Sequence, residues 1–84
     1  MNTLKIGQIV ISKAGRDKGQ WFVVVGVEGD YALLADGKGR SLEGPKRKKR
    51  KHIQHTNYVA EADWAYDAHI RKIIKRAEGG LSHG

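Results

Sequence analysis

Cysteine is absent from this 84-residue chain, proline occurs once, and no long hydrophobic run is present. Without cysteine, neither a disulfide framework nor a thiolate metal site can stabilise the fold, which favours a reducing compartment. The single proline and the 39% hydrophobic content argue against a disordered chain. No stretch approaches the roughly 18 apolar residues of a membrane span, and residues 1–5 lack the apolar core of a secretion signal. We therefore expect a soluble, cytoplasmic protein with no membrane partner.

Acidic residues are also scarce, with nine Asp and Glu against sixteen Lys and Arg and a net charge of +7. This excess favours a polyanionic partner, for which nucleic acid is the default, although basic proteins can also simply be soluble ones. The length allows one domain with a thin core.

Short apolar segments alternate with glycine-containing turns over the first 56 residues. Residues 20–28 are aromatic and β-branched, which predicts a central strand. The pair Gly29 and Asp30 that follows is typical of a tight hairpin. Five strands are predicted, over residues 7–12, 20–28, 31–35, 40–43 and 52–55. Five short strands with tight turns predict a small barrel over residues 1–56.

The period of the apolar residues then changes from two to three and four, which predicts an amphipathic helix over residues 57–78 that packs on the barrel. The cap is expected at Thr56 or Asn57, a stop at Gly79 and Gly80, and a flexible tail over 79–84. The predicted apolar stripe consists of Val59, Ala62, Tyr66, Ile70, Ile73, Ile74 and Ala77. Trp64 falls off the stripe, which makes it a candidate for an exposed contact.

Charges on the predicted helix are arranged to complement its dipole, with acids early and bases late. The acids are Glu61, Asp63 and Asp67, and the bases are Arg71, Lys72, Lys75 and Arg76. The basic end could extend a nucleic-acid surface or could be ordinary solvated charge, and the sequence leaves both interpretations open.

Six consecutive cations occupy residues 46–51, the basic run. They would repel one another in an isolated fold, and a phosphate backbone accounts for them, so the run is predicted to be an electrostatic anchor for RNA. A solvated loop without a partner and a localisation signal are the alternatives. Phosphate contacts position a protein without specifying sequence, so specificity would come from elsewhere.

A second candidate site is the basic loop, residues 13–19, with Trp21 just beyond it. Its glycines let the backbone come close to a ligand, and its cations flank an aromatic ring. Stacking of a base on an exposed aromatic ring is worth about 1 to 3 kcal/mol. Packing of Trp21 in the core is an equally good interpretation of this residue.

Residues 7–25, GQIVISKAGRDKGQWFVVV, resemble a KOW motif in their leading glycine, alternating apolar residues, Lys-Gly turn and following valine strand. Downstream, LADG at 34–37, the basic run and HIQHT at 52–56 are similar in order to ribosomal proteins of the L14e and L27e type, so the resemblance covers residues 5–56. It implies an SH3-like barrel that binds ribosomal or other structured RNA, with Gly19 matching the central KOW glycine. Residues 20–22 depart from the pattern, because many KOW motifs have a second glycine there.

Metal binding and catalysis find little support in the sequence. His52 and His55 are three residues apart, which in a strand places them on opposite faces, a poor geometry for metal ligands. No Ser, His and Asp arrangement is legible. We expect no metal, no cofactor, no small-molecule substrate and no enzymatic activity.

These observations predict a mainly β protein, an SH3-like (KOW) barrel of about five strands with one C-terminal α-helix, that binds RNA and is ribosome-associated or similar to a ribosomal protein. An SH3-like module that binds an acidic peptide or a partner protein is the main alternative, since fold alone does not decide function. Duplex DNA binding is a weaker one, because no groove-reading helix is evident. The predicted RNA-binding residues are Lys13, Arg16, Lys18, Gly19, Trp21, Arg40, Lys46, Arg47, Lys48, Lys49, Arg50 and Lys51.

Overall fold

A computed structural model describes residues 4–60 and 66–82 of the chain. It confirms a mainly β protein with one C-terminal helix. The elements in chain order are β1 (Gln8–Ser12), β2 (Trp21–Glu28), β3 (Tyr31–Ala35), β4 (Lys46–Lys49), a 3₁₀ turn (Arg50–His52), β5 (Ile53–Val59) and α1 (Asp67–Ser82). None of the helices in the described residues is long and apolar enough to cross a membrane.

The five strands form one antiparallel sheet in the order β4-β3-β2-β1-β5. Glu28 pairs with Tyr31, so Gly29 and Asp30 are the only residues of the hairpin loop between β2 and β3. Gly29 has a φ of 57°, whereas Asp30 does not have a positive φ. A glycine at the first central position is what a type II′ hairpin requires, and the predicted hairpin is confirmed.

The sheet is strongly curled, because its two edge strands are consecutive in the chain. In a flat sheet, β4 and β5 would lie four strand spacings apart, about 19 Å. The four peptide steps from Lys49 to Ile53 reach at most about 14 Å, and the 3₁₀ turn shortens them further. The edges therefore approach each other where the turn joins them. Elsewhere the described sheet stays open, since β4 and β5 do not pair.

Two apolar layers lie on the two faces of this sheet. The inner layer, enclosed by the curl, contains Leu4, Val10, Phe22, Val24, Ala32, Leu34 and Ile53. The outer layer, covered by α1, contains Ile9, Val23, Ala35, Ile70, Ile74 and Ala77. Successive residues of a strand point to opposite faces, and β2 is covered on both, so the run at 20–28 is apolar without alternation.

The helix is held against the sheet at its first turns as well as by its apolar face. The turn that follows β3 passes so close to α1 that a Cβ added at Gly37 would lie 2.8 Å from Cγ of Arg71. The guanidinium of Arg71 donates to the carbonyl of Gly37, and the Asp67 carboxylate accepts the N–H of Leu42 at 2.8 Å. Only a glycine fits this contact, since a Cβ would collide with α1 and the φ of 79° at Gly37 is one that other residues rarely adopt.

The strand predicted over residues 40–43 is wrong. The Asp36 carboxylate accepts the backbone N–H groups of Lys38 and Arg40, both at 2.9 Å, and holds this segment in a turn. Such side-chain bonds compete with strand pairing for the same donors. The partner of β3 is instead β4, which consists of the first four residues of the basic run.

The predicted boundary at residue 56 is also wrong. β5 continues to Val59, so Thr56 and Asn57 do not cap a helix and Val59 does not belong to its stripe. The side-chain amide of Gln8 donates to the carbonyls of Thr56 and Tyr58, at 2.8 and 3.3 Å, which ties this extension to β1. β-branched and aromatic residues at 56–59 favour the strand.

The helix starts later and ends later than predicted, since it begins at Asp67 and runs through Gly79 and Gly80 to Ser82. Each glycine costs a helix about 1 kcal/mol, which weakens the last turns without ending them. Tyr66 lies just before the helix with 68% of its surface exposed, so its predicted packing on the barrel is wrong. Ala62 and Trp64, together with Glu61 and Asp63, lie outside the described residues.

Replacing Ile70 with alanine tests the helix contact. Ile70 is fully buried between α1 and the sheet, so the Ile70→Ala change should lower the free energy of unfolding by about 3 kcal/mol. Ile6→Ala is the matched control, because Ile6 is 57% exposed and its loss should cost less than about 0.5 kcal/mol. Urea denaturation measures both, and equal midpoints for the two variants would contradict the assigned role of α1.

Candidate nucleic-acid interface

Asp17 is the centre of the polar contacts that join the basic loop to the basic run. Its Oδ1 accepts the Ser12 hydroxyl at 2.7 Å and the Lys48 ammonium at 2.9 Å. Its Oδ2 lies 2.7 Å from Nζ of Lys46. The Lys48 ammonium also donates to the carbonyl of Ala14 at 2.8 Å. One carboxylate thus pairs with two cations of β4 from across the open side of the sheet.

This environment shifts the titration of Asp17. Burial raises the pKa of the carboxyl, but the hydrogen bonds from Lys46, Ser12 and Lys48 and the charge of Lys48 outweigh it, so the pKa lies far below its ordinary value of 3.8. The side chains of Asp17 and Lys48 are only 9% and 10% exposed. The cluster is therefore a largely buried ion triad, in which the Asp17 carboxylate is ionised at neutral pH.

The basic run is split by the alternation of β4. Lys46 and Lys48 point towards Asp17, whereas Arg47 points away from it. Arg47 forms an ion pair with Glu28 at 3.3 Å and lies 3.9 Å above the centre of the Tyr31 ring. Three of the six predicted anchor cations thus form ion pairs within the protein, and these pairs offset part of the mutual repulsion in the run.

The last three cations of the run are Lys49, at the end of β4, and Arg50 and Lys51, in the 3₁₀ turn that joins the sheet edges. Lys49 and Lys51 are exposed and have no ion pair with any described residue. The Arg50 guanidinium donates to the Gly29 carbonyl at 3.2 Å and its backbone N–H to the Asp30 carbonyl at 2.8 Å. These bonds fix the 3₁₀ turn against the β2–β3 hairpin and hold the adjacent cations on a rigid support.

A shallow pocket of about 380 Å³ forms at this turn. Four of its six lining side chains carry or can carry positive charge, and we refer to it as the basic pocket: Lys13, Arg50, Lys51 and His55, with Asp30 and Ile53. The backbone N–H of Lys13 donates to the carbonyl of His52 at 2.8 Å, which brings the start of the basic loop to the 3₁₀ turn.

The basic loop itself is built around two positive-φ glycines, Gly15 at 86° and Gly19 at 88°. Gly19 donates its N–H to the Ser12 carbonyl at 2.8 Å and closes the loop at its base. Arg16 and Lys18 are exposed. The two stretches that the sequence singled out separately, the basic loop and the basic run, therefore lie side by side, joined through Asp17 and Lys13.

Two predicted residues lie elsewhere. Trp21 is half-buried, packs against the outer layer and borders a cleft beside α1, so it is partly a core residue and partly exposed. Arg40 is exposed in the turn after β3. Neither of them lines the basic pocket.

Sequence reasoning did not single out Asp17, Asp30 or His55 as site residues. Asp17 could have been found as the one acid within a cationic loop. His55 was considered only as a metal ligand, and its position beside Lys13 and Arg50 depends on the pairing of β5 with β1. No group of three or more potential metal ligands occurs in the described part of the chain.

A comparison of the sequence with protein-family models and with curated proteins found no match.

Removing the Asp17 charge should destabilise the fold. Asp17→Asn leaves two ammonium groups close together and largely dehydrated without a counter-charge, and we expect a loss of about 3 kcal/mol in the free energy of unfolding at neutral pH. Asp30→Asn makes the same chemical change on an exposed side chain and should cost less than about 0.5 kcal/mol. Equal urea midpoints for the two variants at pH 7 would show that the triad contributes nothing.

The same carboxyl predicts the acid profile. Its pKa is lower in the folded than in the unfolded state, so the unfolded chain takes up the proton first as pH falls. The stabilisation from Asp17 is complete above about pH 5 and is lost progressively as pH falls towards the folded-state pKa. The free energy of unfolding measured between about pH 5 and pH 2 should fall less steeply in Asp17→Asn than in the wild type or in Asp30→Asn. Parallel profiles would refute this.

Proposed function

We propose that this protein is a non-catalytic RNA-binding module whose phosphate-binding surface is the basic pocket with its neighbouring exposed cations. The single observation that supports it most is that Lys13 of the basic loop and Arg50 and Lys51 of the 3₁₀ turn line one concave surface, although they come from two separate segments of the chain. A net charge of +7 supplies the long-range attraction that a polyanion requires.

Within the basic run, the phosphate-binding residues are at its C-terminal end and not along its whole length. Lys46, Arg47 and Lys48 have protein partners, so their release to phosphates would break internal ion pairs. Lys49 and Lys51, and Arg16 and Lys18 on the adjacent loop, are exposed and can each neutralise a phosphate without such a cost. The binding surface is therefore smaller and more rigid than a six-residue cationic tail.

We further propose that the curled sheet is a small SH3-like barrel of the KOW type. The first and last strands are adjacent, and a single 3₁₀ turn joins the two edges, which is what a partly open five-stranded barrel requires. The resemblance of residues 7–25 to the KOW motif supports an L14e-like, ribosome-associated or ribosomal-protein-like role in the cytoplasm. Structured RNA, ribosomal RNA above all, is the expected partner.

Substitution of exposed lysines tests the anchor. Lys49→Gln/Lys51→Gln should weaken binding to a single-stranded RNA of about ten nucleotides and to a structured RNA hairpin. Because each phosphate contact contributes about −0.7 to the slope of log K against log salt for single strands, the slope should become shallower by about 1.4. Fluorescence anisotropy titrations at several salt concentrations measure both quantities.

Lys46→Gln/Lys48→Gln is the matched control, since it removes the same charge from the same run. These two lysines are paired with Asp17, so this variant should lower the free energy of unfolding and change the salt slope less than the Lys49 and Lys51 pair does. An equal change of the salt slope in both variants would contradict the assignment of Lys46 and Lys48 to the fold and of Lys49 and Lys51 to RNA binding. Tight binding of an acidic peptide with no binding of either RNA would replace the proposal with the protein-interaction alternative.

A further inference from the structure

A second concave surface lies on the opposite side of the sheet from the inner layer, between α1, the start of β2 and the turn after β3. It is an open cleft of about 640 Å³, within the range of about 300 to 1,000 Å³ typical of ligand sites. Trp21 and Ile74 provide apolar surface in it, and Lys38, Lys72 and Lys75 line it as well. We call it the Trp21 cleft.

Trp21 is the exception among the residues at the start of β2. Phe22, Val23 and Val24 are 1%, 0% and 0% exposed, whereas Trp21 remains half-buried and borders the cleft. Its side chain packs against the outer layer and also lines the cleft. A partly exposed aromatic ring that is held by packing is a suitable stacking surface for a flat ligand.

Three exposed lysines surround the Trp21 ring in the cleft. Lys72 and Lys75 lie three residues apart on one side of α1, and Lys38 lies on the facing turn. All three are exposed, and none forms an ion pair with a described residue. A planar apolar surface bordered by free cations matches a nucleobase joined to phosphates.

Two acidic residues also line the cleft, Asp36 and Glu78, and they do not fully offset the positive charge of the lysines. The carboxylate of Asp36 is 7% exposed, accepts the side-chain amide of Gln20 at 2.7 Å and is further occupied by two backbone N–H groups. Among the residues that the structure describes, Glu78, exposed near the C-terminal part of α1, is the only other acid lining the cleft. The guanidinium of Arg71, which also lines the cleft, donates to the Gly37 carbonyl and adds a further positive charge.

From these observations we propose that the Trp21 cleft binds an unpaired nucleotide of single-stranded RNA, with the base stacked on Trp21 and the flanking phosphates on Lys72, Lys75 and Lys38. This inference rests on the proposed function. It adds a base-stacking contact to the phosphate contacts proposed for the basic pocket. An RNA bound to both surfaces has to place an unpaired segment beside α1, so the cleft selects loops and single strands over continuous duplex.

The test compares two ligands of equal charge, an oligouridylate of about ten nucleotides and an abasic ribose-phosphate strand of the same length. The wild type should bind the oligouridylate more tightly. Trp21→Leu, which retains apolar contact with the helix, should weaken oligouridylate binding by about 5- to 150-fold and leave abasic-strand binding unchanged. Trp21→Phe keeps a flat ring and should retain most of the preference. A merely structural role for Trp21 would affect both ligands alike.

Two further measurements test the cleft even if the Trp21→Leu variant does not fold. The indole N–H signal of Trp21, assigned by its loss in Trp21→Phe, should shift on addition of oligouridylate and not of the abasic strand. Lys72→Gln/Lys75→Gln should make the salt slope shallower by about 1.4, whereas Lys5→Gln, an exposed lysine outside the cleft, should leave it unchanged.

The outcomes separate this inference from the proposed function. Equal wild-type affinity for the two strands, an unmoved indole signal and a wild-type salt slope in the Lys72 and Lys75 variant would overturn the cleft and leave the basic pocket standing. Absence of wild-type binding to either strand and to structured RNA would overturn both.

Discussion

The ion triad of Asp17 with Lys46 and Lys48 is the interaction on which the rest of the structure depends. A sheet curled by a three-residue turn between its edges brings β4 near the basic loop, yet leaves both without backbone pairing to each other. The carboxylate spans this opening and pairs with two cations on the same face of the edge strand, Lys46 and Lys48. Without it, four consecutive basic residues would have to form a strand in which every neighbour repels the next.

Desolvated ion pairs are weak sources of net stability but strong determinants of geometry, because a missing partner leaves a buried charge. Here the consequence is one of register. Since β4 alternates, pairing of Lys46 and Lys48 with Asp17 directs Arg47 to Glu28 and Tyr31 on the other side of the strand. A slip of one residue would reverse these directions and present Arg47 and Lys49 to Asp17 in place of Lys46 and Lys48. The observed register therefore decides which cations of the run are held in the triad and which are exposed.

The sequence sufficed where apolar periodicity and turn chemistry agreed, as in β1, β2, β3, the Gly29-Asp30 hairpin and the apolar face of α1 at Ile70, Ile74 and Ala77. It failed at β4, because a strand of four cations has no apolar alternation and forms only through β3 and Asp17. The sequence also failed at residues 56–59. The helical spacing there rested on Val59 alone, and one apolar residue does not distinguish the start of a helix from the end of a strand. The basic loop and basic run were both found, but their contact is long-range and no local pattern encodes it.

The two faces of β2 explain why so small a protein can present two distinct surfaces. Its even-numbered residues Phe22 and Val24 belong to the inner layer, while its odd-numbered residues Trp21, Val23 and Val25 pack in the outer layer with α1. Trp21 is the first of the odd-numbered set and lies where the helix no longer covers the sheet completely. β2 runs from Trp21 in the cleft to the hairpin whose Asp30 lines the basic pocket, so this strand and its hairpin fix the distance between the two surfaces. For a polyanion that contacts both, this fixed spacing reduces the entropy lost on binding, since neither surface has to be ordered first.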